Sequence, residues 1–177
     1  MADERLSRVK GAVRGFPDFP KPGILFRDIF PILRDPSLLK DLCSLMLDHI
    51  RSKTSEVDVI VGLEARGFLF GPILAMELGC SFVPIRKAGK LPGKTEKVEY
   101  ILEYGKDVFE IQEGSILKGQ KVVIVDDLLA TGGTMKAACE LVKKVGGDIK
   151  DCLVVIELSD LKGRDKVPEG CSSLINY

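Results

Sequence analysis

Residues 122–134 read VVIVDDLLATGGT and combine three features in a short span. The apolar first part predicts a strand covered on both faces, and the adjacent carboxylates Asp126 and Asp127 end that strand. A tight turn with Thr131 and two glycines follows, and an amphipathic helix begins directly after it. In open α/β sheets, ligands bind where strands end and helices begin, so this segment predicts both an α/β fold and a ligand site.

The turn has the composition of a phosphate-binding cup formed by Ala130, Thr131, Gly132, Gly133 and Thr134. A helix N-terminus presents unpaired N–H groups and the positive end of the helix dipole. The two glycines let backbone amides approach an anion without a Cβ in the way, and the two threonine hydroxyls add donors. The spacing matches neither a P-loop nor a dinucleotide-binding fingerprint.

Asp126 and Asp127 stand next to this cup, where they would repel a bare phosphate. They fit a ligand that also carries hydroxyl groups and Mg²⁺, because carboxylates accept hydrogen bonds from sugar hydroxyls and bind Mg²⁺ directly or through water. The structural alternative is that the acids cap the helix and the glycines only form a turn. The combination of strand, acid pair and Thr-Gly-Gly-Thr turn favours the ligand site.

The rest of the chain alternates between strand and helix patterns. Residues 68–78 are apolar nearly all round and predict a buried helix that ends at Gly79. This alternation predicts a mainly parallel sheet with helices on both faces. Helices are predicted over 3–13 and 68–78, and two more are predicted after Asp35 and after Thr134. An extended proline-rich arm is predicted over 16–23 and a hairpin over 98–111. Strands are predicted over 57–62, 82–85, 121–125 and 153–156.

Length and charge limit the classes of function. The 177 residues predict a single domain over 1–177, because a typical domain has roughly 100 to 200 residues. Lys and Arg number 26, as do Asp and Glu, so the net charge is zero and nucleic acid is not expected as a partner. No window approaches the ~20 apolar residues of a membrane span and no signal core is visible, so we expect a cytoplasmic protein without a membrane partner.

The five cysteines are widely spaced and include no Cys-x-x-Cys pair, which argues against disulfides and zinc. Reduced and mostly buried thiols are expected instead. The one histidine, His49, lies in a predicted helix without a nucleophile or metal ligand near it in sequence, which favours a structural role.

Residues 122–134 resemble the phosphoribosyl-diphosphate (PRPP) signature of type I phosphoribosyltransferases, and further motifs are similar to the branch of that family that acts on adenine. These motifs are FPDFPKPG at 16–23, FRD at 26–28, GLEARGF at 62–68, RK at 86–87, GKLPG at 89–93 and LEYG at 102–105. The resemblance covers the whole chain. It implies the type I phosphoribosyltransferase fold, with a mainly parallel central sheet flanked by helices, a small hood and a flexible hairpin lid.

The same resemblance implies a reaction of adenine with PRPP that gives AMP and pyrophosphate, with Mg²⁺ carried by PRPP and no metal ligand assigned with certainty. It also implies a homodimer. Transfer to hypoxanthine, guanine or xanthine is an alternative, although residues 134–138 lack the acid that such enzymes tend to use for the base. A PRPP-sensing transcriptional regulator is a further alternative, although neither a DNA-binding domain nor a basic face is visible.

The resemblance assigns a role to each site residue. The 5′-phosphate is expected in the cup of residues 130–134, and the ribose and Mg-PRPP at Asp126 and Asp127. The pyrophosphate is expected at Glu64, Ala65, Arg66 and Lys87, because a planar guanidinium and a lysine charge stabilise the negative charge that develops on the leaving group. Adenine is expected between Phe26 and Leu158, with the backbone of Leu25 and Arg27 reading its edge.

Glu103 is the expected catalytic residue, exchanging a proton with the purine as the ribosyl centre develops positive charge. Tyr104 beside it is expected either to position the loop or contact the phosphate, or to be a half-buried aromatic of the hairpin. Mammalian relatives tend to have Asp-Ser where this chain has Glu64-Ala65, so backbone contacts are expected there. The basic run from Arg86 to Lys97 is either a solvated loop or part of the polyanion site.

Overall fold

A computed structural model describes residues 3–102 and 105–177, which form two compact units, Met1–Asp48 and His49–Tyr177. The smaller unit holds an N-terminal helix, a two-stranded sheet, a short helix and most of a long helix. These elements are α1 (Glu4–Ala12), β1 (Arg14–Pro17), β2 (Leu25–Asp28), α2 (Phe30–Leu33) and α3 (Pro36–Lys53). The prediction of one domain over 1–177 stays a prediction.

Local signals explain most of the smaller unit. The side chain of Asp3 accepts a hydrogen bond from the backbone N–H of Arg5 and caps α1. The carboxylate of Asp35 likewise accepts from the N–H of Ser37 (2.8 Å) at the predicted start of α3. The proline-rich arm, predicted only as extended, begins inside an antiparallel pair in which Phe16 lies opposite Phe26. The arm thus has a strand partner that its own sequence did not indicate.

The larger unit is built on a seven-stranded sheet in the order β5-β6-β4-β3-β7-β8-β9. Strands β4, β3, β7, β8 and β9 are parallel, and β6 pairs antiparallel with β4 and β5, which confirms the predicted mainly parallel sheet. Its elements are β3 (Val59–Leu63), α4 (Gly71–Leu78), β4 (Ser81–Lys87), β5 (Thr95–Leu102), β6 (Gly105–Gln112), β7 (Lys121–Leu129), α5 (Gly133–Lys144), β8 (Asp148–Glu157) and β9 (Ser172–Asn176).

The strand order reverses between β3 and β7, the two central strands. From β3 the chain crosses through α4 to β4 on one side, and from β7 it crosses through α5 to β8 on the other. Because such crossovers are right-handed, α4 and α5 lie on opposite faces of the sheet. The loops after β3 and β7 therefore diverge at their carboxyl ends and leave a crevice, which is where open α/β sheets bind ligands.

Three sequence predictions change in detail. Strand β7 does not end at the acids but continues to Leu129, because residues 126–129 stay paired with β8. The helix predicted over 68–78 starts only at Gly71, after a 3₁₀ turn at Arg66–Leu69. Its Met76 is 72% exposed, so α4 buries one face and is not covered all round. The predicted hairpin is confirmed by the pairing of β5 with β6.

The buried residues of the central strands are mostly apolar, as their sequence runs predict. All five residues of β3 are buried, and Val122, Val123, Ile124 and Val125 of β7 have no exposed surface. The five cysteines are free thiols, four of them buried. Nε2 of His49 lies 2.9 Å from Oδ2 of Asp151, a contact that fits the structural role predicted for this histidine. Across 3–102 and 105–177, no helix has the length and apolar character that crossing a bilayer requires.

Candidate active site

A cavity of about 300 Å³ lies at the switch point, at the carboxyl ends of β3, β4 and β7. All of its lining residues belong to the larger unit. They are Glu64, Ala65, Arg66, Lys87, Tyr100, Asp107, Phe109, Asp126, Asp127, Leu128, Leu129, Ala130, Thr131, Gly132, Thr134 and Met135. The cavity thus joins the segment after β3, the end of β4, the hairpin β5–β6 and the turn after β7.

The turn between β7 and α5 is shaped by a contact between two glycines. Gly132 stands before α5 with φ +82°, in the left-handed region, and a Cβ there would lie 2.1 Å from the carbonyl oxygen of Gly163. A Cβ on Gly163 would in turn lie 2.2 Å from the carbonyl oxygen of Ala130. Two backbones therefore pack directly against each other, and neither position accepts a side chain without displacement.

This contact fixes the cup that the sequence predicted. Ala130, Thr131, Gly132 and Thr134 line the cavity, while Gly133 begins α5. The first N–H groups of a helix have no partner within the helix, so those of α5 stand at this end of the cavity together with the positive end of the helix dipole. Gly163 was not predicted, because its contact with the cup is made by residues about thirty positions apart in the sequence.

The acid pair lies beside the cup and is nearly inaccessible. Asp126 is 9% exposed and Asp127 is 4% exposed, and the N–H of Asp127 donates to Oδ1 of Asp126 at 2.9 Å. Nε of Arg66 donates to Oδ2 of Asp127. Burial, together with the neighbouring charge of Asp127, raises the pKa of Asp126 well above its ordinary value. Both acids line the cavity despite being adjacent in a strand, so a ligand there meets two carboxyl groups.

The segment after β3 carries the residues predicted for pyrophosphate. The peptide bond between Glu64 and Ala65 is cis. Oε2 of Glu64 accepts from Nε of Arg86 (3.1 Å) and from the backbone N–H of Lys87 (3.1 Å), while Oε1 accepts from the second guanidinium nitrogen of Arg86 (3.1 Å). The hydrogen bonds from Arg86 lower the pKa of Glu64 despite its partial burial. Glu64 thus fixes the end of β4, from which Lys87 projects.

Lys87 itself has a carboxylate partner in the cavity. Its Nζ lies 2.8 Å from Oδ2 of Asp107 on strand β6. Tyr100 lies directly opposite Asp107 in the hairpin. Burial raises the pKa of Tyr100 to about 12, and the charge of Asp107 adds to the shift. No local sequence pattern indicates Asp107 or Tyr100, since a cross-strand pair is visible only once the register of the hairpin is known.

The basic loop before β5 is organised by one buried carboxylate. Glu110 is 1% exposed, and its Oε1 accepts from the N–H groups of Lys90 and Leu91, each at 2.8 Å. Burial alone would raise the pKa of Glu110, but the backbone N–H donors outweigh it and lower that pKa. Lys97 lies 3.7 Å from the same carboxylate. The loop is therefore held in a defined path from inside the fold.

The structure brings together ten of the residues predicted for the site. These are Glu64, Ala65, Arg66, Lys87, Asp126, Asp127, Ala130, Thr131, Gly132 and Thr134, all lining the one cavity. Of the residues predicted for adenine, Leu25, Phe26 and Arg27 lie on β2 in the smaller unit, and Leu158 follows β8 in the larger one; none is among the lining residues. Glu103 and Tyr104 lie outside the residues that the structure describes.

Comparison with known proteins gives a consistent result. The model of the phosphoribosyl transferase domain matches residues 31–176. The chain is 55% identical to the adenine phosphoribosyltransferase of Drosophila pseudoobscura pseudoobscura, over 99% of this chain and 97% of that protein. It is 50% identical to the adenine phosphoribosyltransferase of Homo sapiens, over 100% of this chain and 99% of that protein.

A solved structure has a closely similar fold. The crystal structure of adenine phosphoribosyltransferase from Saccharomyces cerevisiae, complexed with an imino-altritol bisphosphate and adenine, superposes with a TM-score of 0.91. It is 47% identical to this chain, and the match covers 96% of this chain and 98% of the yeast one.

Proposed function

The chain belongs to the phosphoribosyltransferase family, and we propose that it transfers the 5-phosphoribosyl group of PRPP to adenine, releasing AMP and pyrophosphate. The proposal depends above all on one observation: a single cavity joins a backbone phosphate cup, two buried acids and two cations. PRPP carries a phosphate, vicinal hydroxyls and a diphosphate, and so needs these groups together. Adenine in the yeast complex supports adenine as the base.

The 5′-phosphate is assigned to the cup. Backbone N–H groups of Gly132, Gly133 and Thr134, with the threonine hydroxyls, supply donors without a cation, and the helix dipole of α5 favours the negative charge. Because the glycine contact with Gly163 already fixes this turn, little reorganisation is needed on binding. The cup thereby holds the ribose in one orientation, which places its reacting carbon.

The diphosphate is assigned to the opposite side, where Arg66 and Lys87 line the cavity with the backbone at Ala65. Negative charge on this group increases as the bond to the ribose breaks. Cations held in place here stabilise that charge more in the transition state than in the substrate, which accelerates the reaction. Glu64 is assigned a positioning role through its bonds to Arg86 and to the N–H of Lys87.

Asp126 and Asp127 are assigned to the ribose hydroxyls and to the surroundings of Mg-PRPP. Hard carboxylate oxygens next to the cup fit a hydrated magnesium ion that arrives with the substrate. When bound, Mg²⁺ neutralises part of the diphosphate charge. The raised pKa of Asp126 follows from burial beside Asp127, and an incoming cation or hydroxyl donor relieves that repulsion.

Further assignments concern the base, the lid and the protein as a whole. Glu103 is the proposed general acid–base group for the purine, and retention of full turnover by Glu103→Gln would disprove this role. Leu25, Phe26, Arg27 and Leu158 are the proposed adenine contacts. The hairpin of β5 and β6 is the proposed lid, which excludes water from the reacting centre.

A single domain, a homodimer and a cytoplasmic location complete the proposal, and light scattering of the purified protein tests the dimer.

One assay tests the function directly. The protein is incubated with PRPP and Mg²⁺ and, in separate reactions, with adenine, hypoxanthine or guanine. We expect AMP and pyrophosphate from adenine and at most traces of product from the other bases. Product from hypoxanthine or guanine but not from adenine would favour the alternative of a phosphoribosyltransferase for another purine. PRPP binding without product from any base would favour a regulator.

A further inference from the structure

A negative side chain in a cavity for polyanions requires an explanation, and Asp107 is such a residue. It lines the same cavity as Arg66, Lys87 and the cup. Unlike Asp126 and Asp127, it lies on β6 of the hairpin and not on the strand that leads into the cup. Its position next to Lys87 places it beside the group assigned to the leaving diphosphate.

The carboxylate of Asp107 is held at both oxygens. Oδ1 accepts from the N–H of Val108 at 2.8 Å, and Oδ2 lies 2.8 Å from Nζ of Lys87. Tyr100, which is 7% exposed, lies directly opposite Asp107 across the hairpin. The backbone thus fixes Asp107, whereas Lys87 has a flexible four-carbon stem and a side chain that is 56% exposed. When the ion pair separates, Lys87 is the partner that moves.

The ion pair has a consequence for binding. Before PRPP binds, Asp107 compensates the charge of Lys87 at close range. A diphosphate must therefore draw Lys87 away from a carboxylate, and that carboxylate then remains at the cavity wall as a like charge. Both effects lower the affinity for a diphosphate, and both favour its departure once the ribosyl group has been transferred.

We propose that Asp107 is a positioning residue that sets the strength with which Lys87 binds the diphosphate: it holds Lys87 in the ligand-free site and weakens the binding of PRPP and pyrophosphate. The inference rests on the proposed function, since it takes Lys87 as a diphosphate ligand. It assigns to the hairpin a role in product release that is additional to covering the site.

The test is Asp107→Asn, which removes the charge and keeps one oxygen acceptor for the N–H of Val108, while an amide NH₂ replaces the oxygen that faces Lys87. Calorimetric titration with magnesium pyrophosphate should give a dissociation constant about three- to tenfold lower than in the wild type, a modest factor because the pair is partly exposed. The KM for PRPP should fall in parallel while kcat does not rise. The gain should shrink as salt is added, since it is electrostatic.

Glu99→Gln is the matched control. Glu99 lies on the same hairpin, pairs with Lys106 at 2.7 Å and is not among the cavity residues, so this change also removes one negative charge. It should leave the pyrophosphate affinity unchanged. An equal gain in both variants would show that only the net charge of the hairpin matters and would overturn the proposal. Unchanged or weaker pyrophosphate binding by Asp107→Asn would also overturn it.

Lys87→Ala separates this inference from the proposed function. If Lys87→Ala does not weaken pyrophosphate binding, the diphosphate assignment itself fails. If Lys87→Ala weakens binding but Asp107→Asn has no effect, the assignment stands and only the role of Asp107 fails. In the double variant, the gain from Asp107→Asn should be smaller than in the wild-type background, because the competition for Lys87 no longer exists; a full gain there would contradict the ion-pair mechanism.

Discussion

In the proposed function, the two ends of the cavity bind anions in different ways. At the cup, residues 130–134 offer backbone N–H groups, and direct packing of Gly132 on Gly163 sets their positions. At the other end, recognition depends on side-chain cations, and both of those lining the cavity have carboxylate partners. Arg66 donates to Asp127, and Lys87 pairs with Asp107.

The cup binds its ligand by shape, whereas the other end binds its ligand by charge. The cup is built before a ligand arrives, and its N–H dipoles need no counter-ion, so binding there depends on geometry. In the proposed function, the cations of the other end exchange a carboxylate for a phosphate group, so binding there is a competition between anions. The zero net charge of the chain is consistent with this arrangement, because the cations and acids are paired locally.

The largest expected effect is at the cup. In Gly132→Ala the new Cβ would meet the Gly163 carbonyl oxygen at 2.1 Å, so the turn must move and the N–H groups with it. We expect a loss of PRPP affinity of at least about 100-fold, as misplacement of positioning groups by about 1 Å costs such factors. Calorimetric titration with PRPP measures it, and urea unfolding measures the accompanying loss of stability.

Gly119→Ala is the control for this variant. Gly119 has the same φ of +82°, but nothing lies within 4 Å of the Cβ that would be added. The left-handed conformation alone should destabilise it by about 1 kcal/mol and leave PRPP affinity unchanged. Equal PRPP affinities for the two variants would contradict the claim that the glycine contact shapes the cup.

A smaller effect is expected for Asp126→Asn, which changes one of the two acids beside the cup. The pKa of Asp126 is raised in the folded protein, so the folded state retains a proton that the unfolded chain has lost. The contribution of Asp126 to stability is therefore fully present below its unfolded pKa, and it falls as pH rises through the folded pKa. At pH 8 the Asn variant should therefore be more stable than the wild type.

Urea unfolding at pH 4 and at pH 8 checks this prediction. The stability difference should be small at pH 4 and larger at pH 8, while PRPP affinity falls because a hydroxyl acceptor has been lost. Asp160→Asn is the control for the loss of one acid, since Asp160 is exposed and does not line the cavity, and it should leave PRPP affinity unchanged. A pH-independent difference for Asp126→Asn would contradict the claim that burial beside Asp127 destabilises the charged pair.

The parts of the fold and site that the sequence predicts are those encoded by neighbouring residues. The cup and its acids form one contiguous segment, and alternating strand and helix patterns sufficed for the parallel sheet. Asp107, Glu110 and Gly163 act through partners that are 20 or more positions away in the sequence. These partners are Lys87, Lys90 and Gly132, respectively. Their roles follow from hairpin register and backbone packing, which local patterns do not specify.

The continuation of β7 through the acids was missed for a similar reason. Asp126 and Asp127 have low strand propensity, and the apolar run ends before them. Pairing with β8 keeps the segment extended as far as Leu129, opposite Glu157. Tertiary pairing thus overrides the local preference, and it places two charged groups in a buried strand at the carboxyl edge of the sheet.

The claim that one cavity holds both ends of PRPP is tested most directly by titration with its two fragments. Ribose 5-phosphate reports on the cup, and magnesium pyrophosphate reports on the side of Arg66 and Lys87. We expect the fragments to bind together, one of each per chain, and PRPP to displace both at once. Mutual displacement of ribose 5-phosphate and pyrophosphate, or PRPP binding that leaves either fragment in place, would contradict the account.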